Sequence, residues 1–195
     1  MTSLRISILL LLLCSTAQPV LAAKNGLADL ELRQPNTTNS IISAQVGEIV
    51  EVEVFMRGRG EQTTGVQIFF SFDDTFLELV SLGQTNNGPK PFVPGGYISG
   101  SIFRNDSMDD KIGDSSANKL PGYQMLYQEQ VSGFGGQVAR IGDGTIARFS
   151  LRIIRKPGGG SVTVRVDPSS PIGSQTGYFI VSDPGTTYSY RNITN

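Results

Sequence analysis

The sequence predicts an all-β protein, a two-sheet sandwich of about eight or nine strands, and three observations carry that expectation. Short apolar runs are separated by turn residues in a chain of 195 residues that holds 23 glycines and 10 prolines. Several of those runs alternate apolar and polar side chains with period two, as a strand with one buried face requires. After the N-terminal segment, no stretch carries the spacing of a long amphipathic helix.

The elements follow in chain order. Arg5 is the only charge before an apolar run over residues 8–13, and the small residues Ala22 and Ala23 come after it. This is the pattern of a signal peptide over residues 1–23, too short to span a bilayer, which takes roughly 20 apolar residues. Cys14 follows the large Leu13, whereas a lipobox places a small residue there, so export without lipidation is expected. The remainder, 24–195, is expected to be soluble, secreted and folded as one domain.

Residues 27–32 read as the first strand. In 50–56, Val50, Val52, Val54 and Met56 share one face while Glu51 and Glu53 take the other. A turn over 57–64 leads to a strand over 65–73, with Val66, Ile68, Phe70 and Phe72 inward and Gln67, Phe69 and Ser71 outward. Phe76, Leu77, Leu79 and Val80 then form a dense apolar piece, either one helical turn or a strand at the sandwich rim. Residues 83–122 are polar and rich in Gly and Pro. A structureless loop of that length is uncommon, so the segment either holds a strand of its own, best placed at 97–103, or is a functional excursion. Strands follow at 123–130, at 145–154 after the Asp143-Gly144 turn, at 162–166 after Gly158-Gly159-Gly160, and at 178–182. In 145–154, Ala147, Phe149, Leu151 and Ile153 point inward against Arg148, Ser150 and Arg152.

Composition closes many functional classes. The chain has no histidine, which removes Ser-His-Asp triads and His-ligated metal sites. Cys14 is the only cysteine, so the mature chain carries no disulfide and no thiol nucleophile. A net charge of −1 without a basic tract gives no footprint for nucleic acid or anionic lipid. No enzyme motif and no cofactor motif is present, and a non-catalytic role is expected.

An ordered set of strand motifs narrows the fold further. Val46-Gly47-Glu48 runs into the alternating valines of 50–54, then into Gly65-Val66-Gln67-Ile68-Phe69-Phe70-Ser71-Phe72-Asp73, then into Leu77-Glu78-Leu79-Val80; Asp143-Gly144-Thr145-Ile146-Ala147-Arg148-Phe149 follows later. In this order the motifs resemble those of the cohesin domain family. The resemblance implies a jelly-roll β-sandwich that mediates protein–protein assembly in extracellular polysaccharide degradation or surface attachment, with a dockerin-like module as partner. An immunoglobulin-like domain is the structural alternative. The functional alternative is a carbohydrate-binding module of the same superfamily, acting on polysaccharide directly.

The resemblance places the partner-binding positions at Gly65, Gln67, Phe69 and Ser71, the outward side of one strand. Many dockerin-binding cohesins carry an Asn and an Asp where this chain has Gly65 and Gln67. Phe69 is expected to be covered by a neighbouring loop, to be simply exposed, or to anchor a partner, since aromatic side chains are enriched at binding hot spots. For a sugar site, Tyr97, Tyr123 and Tyr127 are the candidates to stack on pyranose rings. Asp106, Asp109, Asp110 and Asp114 are weak candidates for Ca²⁺, because their spacing lacks the alternate-position ligands of an EF-hand loop.

Overall fold

A computed structural model describes residues 24–85, 88–98, 101–107, 123–130, 140–168 and 175–195. Two sheets face each other. The first is ordered β1 (Lys24–Asn25), β14 (Asp183–Ser189), β13 (Gly177–Ile180), β4 (Thr63–Phe72), β10 (Tyr123–Gln130) and β9 (Ser101–Ser107), with β12 (Arg165–Asp167) also paired to β4. The second is ordered β15 (Asn192–Thr194), β2 (Asp29–Arg33), β3 (Ile49–Arg57), β11 (Asp143–Ile153) and β5 (Leu77–Val80), with β8 (Val93–Pro94) also on β11. A small ribbon pairs β6 (Gln84–Thr85) with β7 (Gly88–Pro89). Nine of these strands run four residues or longer, and no helix occurs among the described residues. The architecture is the expected jelly-roll β-sandwich.

Period-two alternation positions the core. Val52, Val54 and Met56 of β3 and Phe149 and Leu151 of β11 meet Val66, Ile68, Phe70 and Phe72 of β4 and Met125 and Tyr127 of β10 in one buried cluster. Phe92 sits at its centre, with ring centroids 5.3 Å from Phe70, 5.5 Å from Phe149 and 5.2 Å from Tyr127. Such aromatic contacts add about 0.5–1.5 kcal/mol each beyond the area they bury.

Phe92, Tyr97 and Ile98 are core residues contributed by the segment read from sequence as a long loop. That segment therefore crosses the sandwich. Its longest strand is β9 at Ser101–Ser107, which pairs with β10 and displaces the expected 97–103. Residues 108–122 of the segment, like residues 1–23 with Cys14, lie outside the described residues.

Two other expectations are adjusted. The piece after Asp73 is a strand at the rim, where Leu77 pairs with Ile153 of β11. The strand expected at 162–166 pairs only over Arg165–Asp167, against Ser71, Phe70 and Phe69 of β4. Val162 and Val164 pack on the core without a ladder of their own. They wall a groove of about 480 Å³ at one end of the sandwich, together with Val50, Leu151 and Ile153.

A register shift between Thr145 and Ala147 buries Ile146 and Ala147 in succession. Bulges of this kind re-aim a strand where a neighbour approaches. Here the neighbour is the segment 93–97, whose Gly95 and Tyr97 N–H groups donate to the Ile146 and Thr145 carbonyls. A Cβ on Gly144 would lie 2.4 Å from the Tyr97 ring, so only glycine leaves room for that ring.

Both chain-terminal strands pair in parallel. β1 lies along β14 and β15 along β2. Lys24 of β1 pairs with Asp183 of β14. Asp29 of β2 accepts hydrogen bonds from Arg191 at 2.8 Å, Arg59 at 2.7 Å and Asn192 at 2.9 Å. Burial pushes the Asp29 carboxyl up, but those donors outweigh it and hold its pKa at about 2.

Candidate interaction face

The outward side of the β4 sheet follows from register, because residues directly opposite on paired strands share a face. Gly65 lies between Phe179 of β13 and Gln130 of β10, and Gln67 lies between Gly177 and Gln128. Phe69 lies between Leu126 of β10 and Asp167 of β12, and Ser71 faces Arg165. At the sheet's far side, β9 aligns Arg104 and Asp106 with Gln128 and Leu126.

The four candidate positions on β4 divide into two pairs. Phe69 is 3 % exposed and forms a small apolar cluster with Leu126, separate from the main core. Its amide donates to the Thr176 hydroxyl at 3.0 Å. It is covered, so it presents no aromatic anchor. Ser71 is also buried, and accepts a hydrogen bond from Arg165 at 3.3 Å. Asp167 beside it is nearly buried, which raises its carboxyl pKa.

Gln67 is half-buried, and its side-chain amide donates to the Gln175 carbonyl at 2.8 Å, leaving the amide oxygen outward. Gly65 provides a hollow. A Cβ there would stand 3.1 Å from the ring of Phe179 and 3.0 Å from the stem of Gln130, so both side chains close over bare backbone. This is the cross-strand arrangement in which an aromatic ring shields a strand glycine.

Phe179 was not singled out in the sequence. It is half-buried and belongs to neither apolar cluster. The signal that could have found it is alternation: Tyr178 enters the core, which turns its neighbour outward. Upper rows of the face thus show Phe179, Gln130, Gln67 and Gln128, and the β9 register sets Arg104 beside Gln128.

The opposite surface, outside the β3 sheet, is built of charges that satisfy one another. Glu53 is 1 % exposed; it accepts from Thr145 at 2.7 Å, Arg33 at 2.8 Å and Arg148 at 3.1 Å. Its burial pushes the carboxyl up, yet these donors prevail and lower its pKa. Arg33 stacks on Phe55 at 3.4 Å and reaches Glu31, which also binds Arg57. Arg152 pairs with Glu78 at 2.9 Å across β11 and β5.

Two of the three tyrosines proposed to stack on sugar are taken up by packing. Tyr127 lies in the core and donates to Glu129 at 2.7 Å, with burial raising its phenol pKa. Tyr97 is likewise buried and donates to the Gly142 carbonyl at 3.0 Å. Both rings are spent on packing, and a stacking surface has to be exposed. Tyr123 begins β10 opposite Phe72, and its side chain lies outside the described residues. The same holds for the side chain of Asp106 in β9, while Asp109, Asp110 and Asp114 lie wholly outside them. Among the described residues no three acidic, His or Cys side chains group as a metal site.

No protein-family model matches the sequence, and no curated protein matches it. Solved structures do match. A cohesin from Clostridium acetobutylicum is 14 % identical, with 88 % of this chain and 92 % of that one covered at a TM-score of 0.55. The cohesin of a type II cohesin–X–dockerin complex from Acetivibrio cellulolyticus is 14 % identical over 85 % of this chain and 96 % of that one, also at 0.55. The cohesin of a type I cohesin–dockerin complex from Clostridium thermocellum is 13 % identical over 88 % and 94 %, at 0.52. The chain has the cohesin fold.

Proposed function

We propose that this chain is a secreted, non-catalytic module that mediates protein–protein assembly through the outer face of the β4 sheet. Its partner is a dockerin-type module, and its setting is extracellular polysaccharide degradation or surface attachment. The observation that carries this reading is the shared fold: it spans most of both chains in each comparison, and several of the matching cohesins were solved with dockerins bound.

The two outer faces support the choice of surface. A partner docking on the β3 sheet would have to strip water from ion pairs that already satisfy each other, a cost that new contacts rarely repay. The β4 sheet offers amides and a ring. Direct polysaccharide binding loses two of the three stacking residues assigned to it, because Tyr97 and Tyr127 lie in the core.

Calorimetry of residues 24–195 against type I and type II dockerin modules, with cellulose and chitin pull-downs alongside, tests the proposal. Saturable binding to a dockerin is expected. Retention on a polysaccharide with no dockerin bound would replace protein assembly by glycan binding.

A further inference from the structure

The chain carries three sequons of the form Asn-x-Ser/Thr, at Asn36-Thr37-Thr38, Asn105-Asp106-Ser107 and Asn192-Ile193-Thr194. The fold treats them differently. Asn105 lies within β9, in register with Tyr127 of β10, a core residue. Asn192 lies in β15 opposite Asp29 of β2, and its side-chain nitrogen donates to the Asp29 carboxylate at 2.9 Å. Asn36 stands on the connection between β2 and β3. We infer that Asn36 is the N-glycosylation site among the three, the acceptor amide that the folded chain presents to an oligosaccharide. The inference rests on the export proposed above and goes beyond the assembly role.

The presentation follows from local sequence. In Gln34-Pro35-Asn36-Thr37 the Thr37 N–H donates to the Gln34 carbonyl at 3.2 Å, Pro35 holds the second position, and Asn36 takes the third at a φ of 60°. Proline followed by a residue that tolerates the left-handed region is the signature of a type II turn. The Thr37 hydroxyl closes it, donating to the Gln34 carbonyl at 2.9 Å and accepting the Asn39 N–H at 3.1 Å. The turn is thus fixed without either side chain that the sequon uses. Asn36 and Thr38 are both exposed, and neither side chain has a hydrogen-bond partner among the described residues.

Transfer needs only that amide and a sugar donor, a lipid-pyrophosphate oligosaccharide. Nδ2 of Asn36 bonds to C1 of the sugar, the bond from C1 to the phosphate oxygen breaks, and the pyrophosphate leaves with the electron pair. The amide nitrogen gives up one proton to a base of the transferase, and nothing is oxidised or reduced. A glycan at Asn36 belongs to the second sheet's end of the chain and leaves the outer face of the β4 sheet clear. Pro35 beside it shares a shallow recess with the exposed Ile49, so the sugar brings a hydrated group to an apolar rim. On Asn192 the same sugar would crowd the carboxylate that Arg59 and Arg191 also hold.

The test expresses the full chain in a eukaryotic host with an N-glycosylating secretory pathway. Exported protein is read by intact mass, and by peptide mass after enzymatic deglycosylation, which converts an occupied Asn to Asp. A glycan is expected on Asn36 and none on Asn105 or Asn192. The added mass should be lost entirely in Asn36→Gln and in Thr38→Ala and kept in Thr38→Ser. Thr38→Ala leaves Asn36 and its turn in place, so its melting temperature should match that of the deglycosylated parent. Exported protein with Asn36 bare, or a glycan that survives Thr38→Ala, overturns this inference and leaves export and assembly standing. A chain kept inside the cell with its N-terminal segment uncut overturns the export reading and this inference with it.

Discussion

The two outer faces of the sandwich solve the same problem in opposite ways. Each sheet must present to water the side chains that alternation turns away from the core. The β3 sheet does so with Asp29, Glu31, Arg33, Glu53, Arg57, Arg148, Arg152 and Glu78, every one of them paired to a neighbour. The β4 sheet does so with glutamines, a ring over a glycine, and a lower half that is covered. A paired ion network stabilises its own sheet and resists being desolvated; glutamine amides add little stability and give up water more readily. The difference separates the side that maintains the fold from the side that can be used.

That separation can be broken by substitution. Phe69→Ala, in the covered half of the β4 sheet, should cost about 3–4 kcal/mol of stability, as large buried rings do. A change of affinity without a loss of melting temperature would instead make that half part of the open face. Glu53→Ala leaves Arg33, Arg148 and Thr145 without their acceptor and should cost about 3 kcal/mol, lowering the melting temperature by about 10 °C with dockerin affinity intact.

Asp29 gives the contrast a pH signature. Its folded pKa of about 2 lies below the ordinary 3.8, so its contribution is fully present above about pH 4 and is lost as pH falls towards 2. Acid titration of thermal stability should show that loss, and Asp29→Asn should flatten it. The smallest effect belongs to Arg152→Ala: both partners of that ion pair are about half exposed, and the change should stay within about 0.5 kcal/mol by chemical denaturation. A larger value would mean that even the rim of the network is cooperative.

Much of the fold was legible because alternation is a backbone rule. The valines of β3, the inward residues of β4 and those of β11 could be assigned from spacing alone, and the strand over Tyr123–Gln130 was placed to the residue. What spacing cannot report is which segment lies over which. Glu53 reads as an outward, solvated carboxylate, yet two arginines and a threonine from neighbouring strands enclose it. Spacing leaves Tyr97 and Tyr127 open as stacking candidates, whereas the fold buries both rings and gives their hydroxyls internal acceptors.

The binding face was legible only in part. Gly65 and Gln67 were identified as the positions where an ordinary dockerin contact is missing. Their surroundings depend on Phe179, more than a hundred residues away in sequence and adjacent only through the β13–β4 register. Phe69 illustrates the reverse case: its outward direction is legible from alternation, whereas the choice between a covered and an exposed ring needs the neighbouring strands.

The parallel pairing of β2 with β15 bears on how the fold resists force. When tension pulls the start of β2 and the end of β15 apart, two strands running the same way are drawn past each other lengthwise. The rungs of the β2–β15 ladder then carry the load together, instead of opening one at a time as in a hairpin peeled from its end. Asp29, gripping Arg191 and Asn192 across that same ladder, adds side-chain bonds that must break together with its rungs. Short as the strands are, the β2–β15 ladder resists lengthwise sliding as a unit.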